Sequence, residues 1–305
     1  MRTRFASSIL CVPALLFAGA RYSSGQSARV TASSGPLPGR VVDVKAGEFF
    51  FTAPDTITAG LTTFRLLQTG LVVDRMRAGA HGRELVADKG DNTRGAHMLW
   101  VVRLDSGKTV TDLYAAAQAG QRMTPWARQM GGPAFILPPA TTNATIDLEP
   151  GNYALVCYIG SAREDRSRYH FLNGMFRALT VKPAPVRRAI SPQVDVVATI
   201  SGEKIVKFSK PLRAGRVAIR VDNQTDKDLE FKFQRVPVGL TGKAFLAQPQ
   251  GSGPGTPVGG LSSVPPRTSV ITTLNFTAGQ YVVGTHASIR HVTSQVVTVA
   301  ARSPD

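Results

Sequence analysis

The stretch Ala144-Thr145-Ile146-Asp147-Leu148-Glu149-Pro150-Gly151-Asn152-Tyr153-Ala154-Leu155-Val156-Cys157 decides the fold class. Apolar and polar residues alternate up to Leu148, which is the period of a strand with one buried face. Pro150-Gly151 then marks a tight turn, and a Tyr-bearing apolar strand follows. The same order returns in Thr272-Thr273-Leu274-Asn275-Phe276-Thr277-Ala278-Gly279-Gln280-Tyr281-Val282-Val283-Gly284-Thr285. Upstream, Phe49-Phe50-Phe51-Thr52 leads through Ala59-Gly60 to Thr63-Phe64-Arg65-Leu66, and Ile205-Val206-Lys207-Phe208 leads through Ala214-Gly215 to Val217-Ala218-Ile219-Arg220-Val221. Two copies of one strand plan, produced by duplication, account for both pairs. The interval from Gly60 to Gly151 is 91 residues and that from Gly215 to Gly279 is 64, so the second copy is trimmed.

Composition agrees with this pattern. The 305 residues are 43% hydrophobic and 18% charged, too apolar for a disordered chain, and 29 Gly and 20 Pro favour short strands joined by turns over a helix bundle or a doubly wound sheet. The expected fold is all-β: two Greek-key β-sandwich domains over 40–182 and 190–300, joined by an extended Pro- and Arg-containing linker at 183–189. One short helix is expected in the first domain, over 111–121 with Thr111 as its cap. Segments 71–96 and 247–266 read as long loops.

At the amino end, Arg2 and Arg4 precede the apolar run 9–17 and the small residues Ala18-Gly19-Ala20. Residues 1–20 therefore read as a secretory signal peptide, with a cut among residues 23–28 an equal choice. The expected location is the periplasm or the extracellular space. No run of about 18 apolar residues suggests a membrane span. Removal of residues 1–20 would take Cys11 and leave Cys157 as a lone thiol in an oxidising compartment. Such a thiol is a buried small hydrophobe, an intermolecular disulfide partner or a metal ligand.

Chemistry enters through four residues of the first unit. His97 opens the strand at 98–104, Cys157 ends a strand, and His170 and Met175 lie before the last strand of the unit. Two imidazoles, a thiolate and a thioether form the ligand set of a blue-copper site with a distant axial Met. Here the sequence resembles the cupredoxin family, over most of residues 45–182, through Gly151-x-Tyr153-x-x-x-Cys157 followed by His170-x-x-x-x-Met175. The resemblance implies one copper ion per chain, held by His97, Cys157, His170 and Met175, for electron transfer or copper handling. It also implies a second cupredoxin-like domain over 195–299 in which Leu229 and Thr285 stand where the first has His97 and Cys157, leaving that copy without copper ligands. Twelve residues separate Cys157 from His170, five of them charged, and closing that loop opposes formation of the site. The alternative is a metal-free cupredoxin-fold binding or structural module of the cell envelope, with its long loops as contact surfaces.

Other chemistries find less support. Five histidines, His81, His97, His170, His286 and His291, are too few for the trinuclear cluster of a multicopper oxidase. Val156 and Tyr158 flank Cys157, so no adjacent His carries a second copper as in a two-domain nitrite reductase. Hydrolase triads lack a nucleophile elbow. The reading is therefore an electron carrier or binding protein rather than an enzyme. The formal charge of +16 is spread without a Lys/Arg run, which argues against nucleic acid and for an acidic redox partner or an anionic envelope surface. Asn143, Asn223 and Asn275 each open an Asn-x-Thr glycosylation pattern.

Overall fold

Alternation at 60–68 sets the first long strand: Phe64 and Leu66 point inward and are fully buried while Arg65 lies between them, half-buried. The structure, a computed structural model, describes residues 36–47, 49–69, 75–79, 82–86, 97–121, 124–160, 169–185, 192–202, 205–247, 255–286 and 292–302. The expected signal segment, His81, His291 and most of the expected linker lie outside them. In the first half the strands are β1 (Arg40–Gly47), β2 (Phe50–Thr52), β3 (Thr56–Thr58), β4 (Gly60–Gln68), β5 (Arg75–Gly79), β6 (Gly82–Val86) and β7 (Trp100–Leu104). Helix α1 (Val110–Gln118) follows, then β8 (Ala127–Pro133), β9 (Thr141–Leu148), β10 (Gly151–Val156) and β11 (Phe176–Lys182). The second half comprises β12 (Val196–Ile200), β13 (Val206–Phe208), β14 (Gly215–Asn223), β15 (Leu229–Arg235), α2 (Gly242–Ala247), β16 (Thr256–Val264), β17 (Ser269–Phe276), β18 (Gly279–His286) and β19 (Val292–Val299).

The chain is all-β, as the sequence suggests, but each large sheet draws strands from both halves. One has the order β13-β12-β14-β17-β9-β4-β1-β2, the other β19-β18-β15-β16-β8-β7-β10-β11-β3. They enclose one large buried apolar cluster that runs from Val42 to Val299, beside a small one of Val236, Phe245 and Val282. In place of two self-contained sandwiches, the halves meet edge to edge at β9–β17 and β8–β16. The β9–β17 seam has one backbone register pair, Ile271 with Thr145. The amide of Asn143 extends it, donating to the Thr273 carbonyl at 2.7 Å and accepting from the Thr273 N–H at 2.9 Å. A side-chain amide thus stands in for a peptide group and satisfies two buried backbone atoms. The Asn223 amide is likewise buried, bonded to the carbonyls of Lys227 and Val264, so two of the three glycosylation patterns fall on internal structural asparagines.

The recurring Gly-x-Tyr has a physical reason. Tyr153 donates its hydroxyl to the Glu149 carbonyl and Tyr281 to the Thr277 carbonyl, each locking the turn four residues before it. Gly132 and Gly260 sit at the second seam at φ 152° and 133°, where a Cβ would lie 1.9 Å from the Leu99 carbonyl oxygen and 2.0 Å from that of Phe231. Only glycine admits this approach.

Three expectations are corrected. The helix spans 110–118 rather than 111–121, and its cap is Thr109 rather than Thr111, because Thr109 forms a reciprocal capping box with Asp112. A second short helix, α2, occurs in the other half, where Thr241 caps the Ala244 N–H and Phe245 is buried. The stretches read as loops contain strands: β5 and β6 pair as a hairpin, and β16 joins the seam despite its Gly, Pro and Ser content.

Candidate metal centre

The apolar run from Met98 carries His97 into the interior, where the imidazole residue is 0% exposed. Its backbone is pinned by a bridge to Ile136 and by Gln68, whose Nε2 donates to the His97 carbonyl at 2.5 Å. Gln68 escaped the sequence reading although it carried a signal. It follows Thr62, Phe64 and Leu66 at the inward positions of β4 and is the long polar side chain of that row, 3% exposed.

Cys157 directly follows β10. Its N–H donates to the Met175 carbonyl at 3.2 Å and its carbonyl accepts from Phe171 at 2.8 Å. His170 donates its N–H to the Ile159 carbonyl at 2.9 Å, and Gly160 bridges Tyr169. The insertion between Cys157 and His170 is therefore clamped at its neck, so the closure entropy expected to oppose the site is offset by backbone hydrogen bonds next to the ligands. His170 starts a 3-10 turn (His170–Asn173) that ends at Gly174, in the left-handed region at φ 101°. Met175 then returns its N–H to the His170 carbonyl at 3.0 Å. From behind, Tyr114 of α1 donates to the Leu172 carbonyl at 3.2 Å and packs edge-on against Phe171.

These constraints bring three donor atoms together. His97 Nδ1 lies 3.1 Å from His170 Nδ1, which lies 3.7 Å from Cys157 Sγ. All three residues are buried, and their potential ligand atoms lie within 4.8 Å of one another. Bonds of about 2.0 Å to nitrogen and about 2.3 Å to sulfur in a trigonal arrangement need donor separations of roughly 3.5–3.7 Å. Small side-chain adjustments fit such an ion. Met175, the fourth residue read from the sequence, is also fully buried and bonded through its backbone to both Cys157 and His170.

Burial governs the electrostatics. It pushes the Cys157 thiol up to about 12, against the pull of backbone hydrogen bonds from Ile159 and Met98. Burial lowers His170 to about 4, and holds His97 well below the usual imidazole range, with the nearby charge of His170 adding to the effect. Without metal, the cluster at neutral pH is one thiol and two neutral imidazoles. His97 Nε2 is buried and has no hydrogen-bond partner among the described residues. A cation would compensate a buried thiolate and take the place of the hydrogen bond that the two Nδ1 atoms otherwise share.

The second half places Leu and Thr where the first has His97 and Cys157. Tyr153 pairs with Arg103 and Tyr281 with Arg235; counting six residues back along β7 and β15 equates His97 with Leu229, and counting forward from the tyrosines equates Cys157 with Thr285. Both replacements are 1% exposed. His286 ends β18, next to Thr285.

No family model and no curated protein matches this chain. Among solved structures, it is similar to auracyanin A, a "blue" copper protein from Chloroflexus aurantiacus, at 14% identity over 48% of this chain and 100% of that one, with a TM-score of 0.27. It is also similar to Lac15 from a marine microbial metagenome, at 13% identity over 87% and 68% of the two chains and a TM-score of 0.22. A copper-containing nitrite reductase from Thermus scotoductus SA-01 aligns at 13% identity over 86% of this chain and 61% of its own, with a TM-score of 0.21.

Proposed function

We propose that this chain is an exported tandem cupredoxin-like protein whose first half would hold one copper ion through His97, Cys157, His170 and Met175, for electron transfer or copper handling. The observation that carries the reading is the meeting of Sγ and two Nδ1 atoms in the buried interior. A thiolate with two imidazoles suits copper in both oxidation states, and the bound ion would supply one-electron chemistry. The chain's own part is to hold these donors rigidly in a dry site, through the clamped neck and the Gln68 contact, so that little reorganisation accompanies a change of charge.

The tandem reading is supported by strand orders that mirror each other from the two ends of both sheets, apart from the edge strand β3, by the paired glycines at 132 and 260, and by the two tyrosine-locked turns. The second half retains this plan with Leu229 and Thr285 in the core. It acts as a structural partner that extends both sheets. The signal-like amino end supports export, and the charge of +16 supports docking on an acidic redox partner or an anionic envelope surface.

Equilibrium dialysis against copper, followed by metal analysis, tests the assignment. The expected result is one copper per chain, with affinity reduced by about a hundredfold or more in Cys157→Ser, as loss of a thiolate ligand requires. Equal copper retention by wild type and Cys157→Ser would refute it.

A further inference from the structure

We infer that Phe49 is a strained plug over the buried His97, Cys157 and His170 cluster, and that small ions and reagents reach these side chains where its ring sits. The inference rests on the copper reading only for the identity of what passes.

Phe49 lies in the tight turn of the β1–β2 hairpin, just before Phe50, which pairs with Gly47. Such turns need left-handed backbone and favour Gly, Asn or Asp. Phe49 nonetheless occupies φ 56°, where a bulky side chain is a steric outlier. Strain of this kind persists when surrounding contacts enforce it and concentrates at functional sites. The enforcing contact is visible: the Phe49 ring meets the His170 imidazole edge-on, with centroids 5.1 Å apart and planes at 87°. Its carbonyl oxygen lies 3.9 Å from where a Cβ on Gly174 would sit, directly behind the His170 turn. Phe49 is partly buried, touching the core while remaining open to solvent, whereas His170 beneath it is 2% exposed. Phe50, the next residue, is 51% exposed, so the tip turns one ring inward and one outward. The hairpin behind the tip is anchored, because Thr69 donates both its N–H and its hydroxyl to the Ala46 carbonyl. Opening therefore needs movement of the tip alone.

Cys157, fully buried with its Sγ 3.7 Å from the His170 imidazole that Phe49 covers, reports on this opening without any metal. The experiment uses the full chain with Cys11→Ser, metal-free, and follows reaction of the Cys157 thiol with DTNB. Phe49→Gly and Phe49→Asn remove the ring and suit the left-handed backbone, whereas Phe49→Tyr keeps the cover. Thiol reaction should accelerate by about tenfold or more in the Gly and Asn variants, with Tm not lowered, and stay within about twofold of wild type in the Tyr variant. Stopped-flow copper uptake should accelerate in the same two variants. Unchanged thiol rates in both the Gly and Asn variants, or acceleration matched by a fall in Tm, would overturn the plug. A chain that takes up no copper would leave the thiol result standing and refute only the metal reading.

Discussion

Acidifying the metal-free protein should destabilise it through His170, by an amount the burial of that ring sets. In the unfolded chain the imidazole titrates near 6.5; in the fold, burial lowers it to about 4. Between these values the unfolded state binds the proton and the folded state refuses it. The contribution is therefore complete above pH 6.5 and is lost as pH falls toward 4. At pH 5 the loss from His170 alone is roughly 2 kcal/mol, and His97, shifted in the same direction, adds to it. For a cooperative unit of this size, 2 kcal/mol corresponds to about 4–8 °C in Tm. The assay is thermal unfolding by circular dichroism at pH 7.5 and pH 5.0, on wild type and on His170→Asn, whose side chain carries no charge at either pH. Wild type should lose more Tm on acidification than the variant, by about the amount just derived. Equal losses in the two proteins would refute the claim that folding holds His170 neutral by burial.

Further outcomes follow from the same geometry. Copper loading at pH 7.5 should release about one proton per ion, because the Cys157 thiol titrates at about 12 in the fold and must ionise to bind; calorimetry in buffers of differing ionisation enthalpy reads the number, and release of none would exclude thiolate ligation. Asn143→Ala leaves the Thr273 N–H and carbonyl unpaired at the seam and should cost roughly 2–4 kcal/mol in urea unfolding; a loss below about 0.5 kcal/mol would show that the seam does not depend on this amide. Gln68→Leu removes the donor to the His97 carbonyl and should weaken copper binding about tenfold or more while the fold persists, as loss of a group that orients a ligand does; unchanged affinity would remove Gln68 from the site's support.

The strand plan was legible because its signals are local. Alternation, the Ala-Gly and Pro-Gly turns and the recurring Gly-x-Tyr each act within a few residues, and the tyrosine hydroxyls close onto carbonyls only four positions away. The site was legible as an ordered set of chemistries, with His97, Cys157 and His170 brought together. What the sequence concealed depends on contacts between distant segments. The edge-to-edge seams rest on Asn143 meeting Thr273 and on glycines whose hydrogens face Leu99 and Phe231, and neither shows in a single strand's pattern. The long Cys157–His170 insertion argued against a formed site because loop length is visible in sequence whereas the clamped neck is not. β16 was misread because Gly, Pro and Ser ordinarily mark loops. At a seam, small residues are what permit close approach, as at Gly260.

The most direct test of the central claim is the visible absorption spectrum of the purified protein titrated with Cu(II), alongside Cys157→Ser. An intense thiolate-to-copper band that saturates at one ion per chain and is absent from the variant is the result this account predicts. A wild-type spectrum without that band, identical to that of Cys157→Ser, would contradict it.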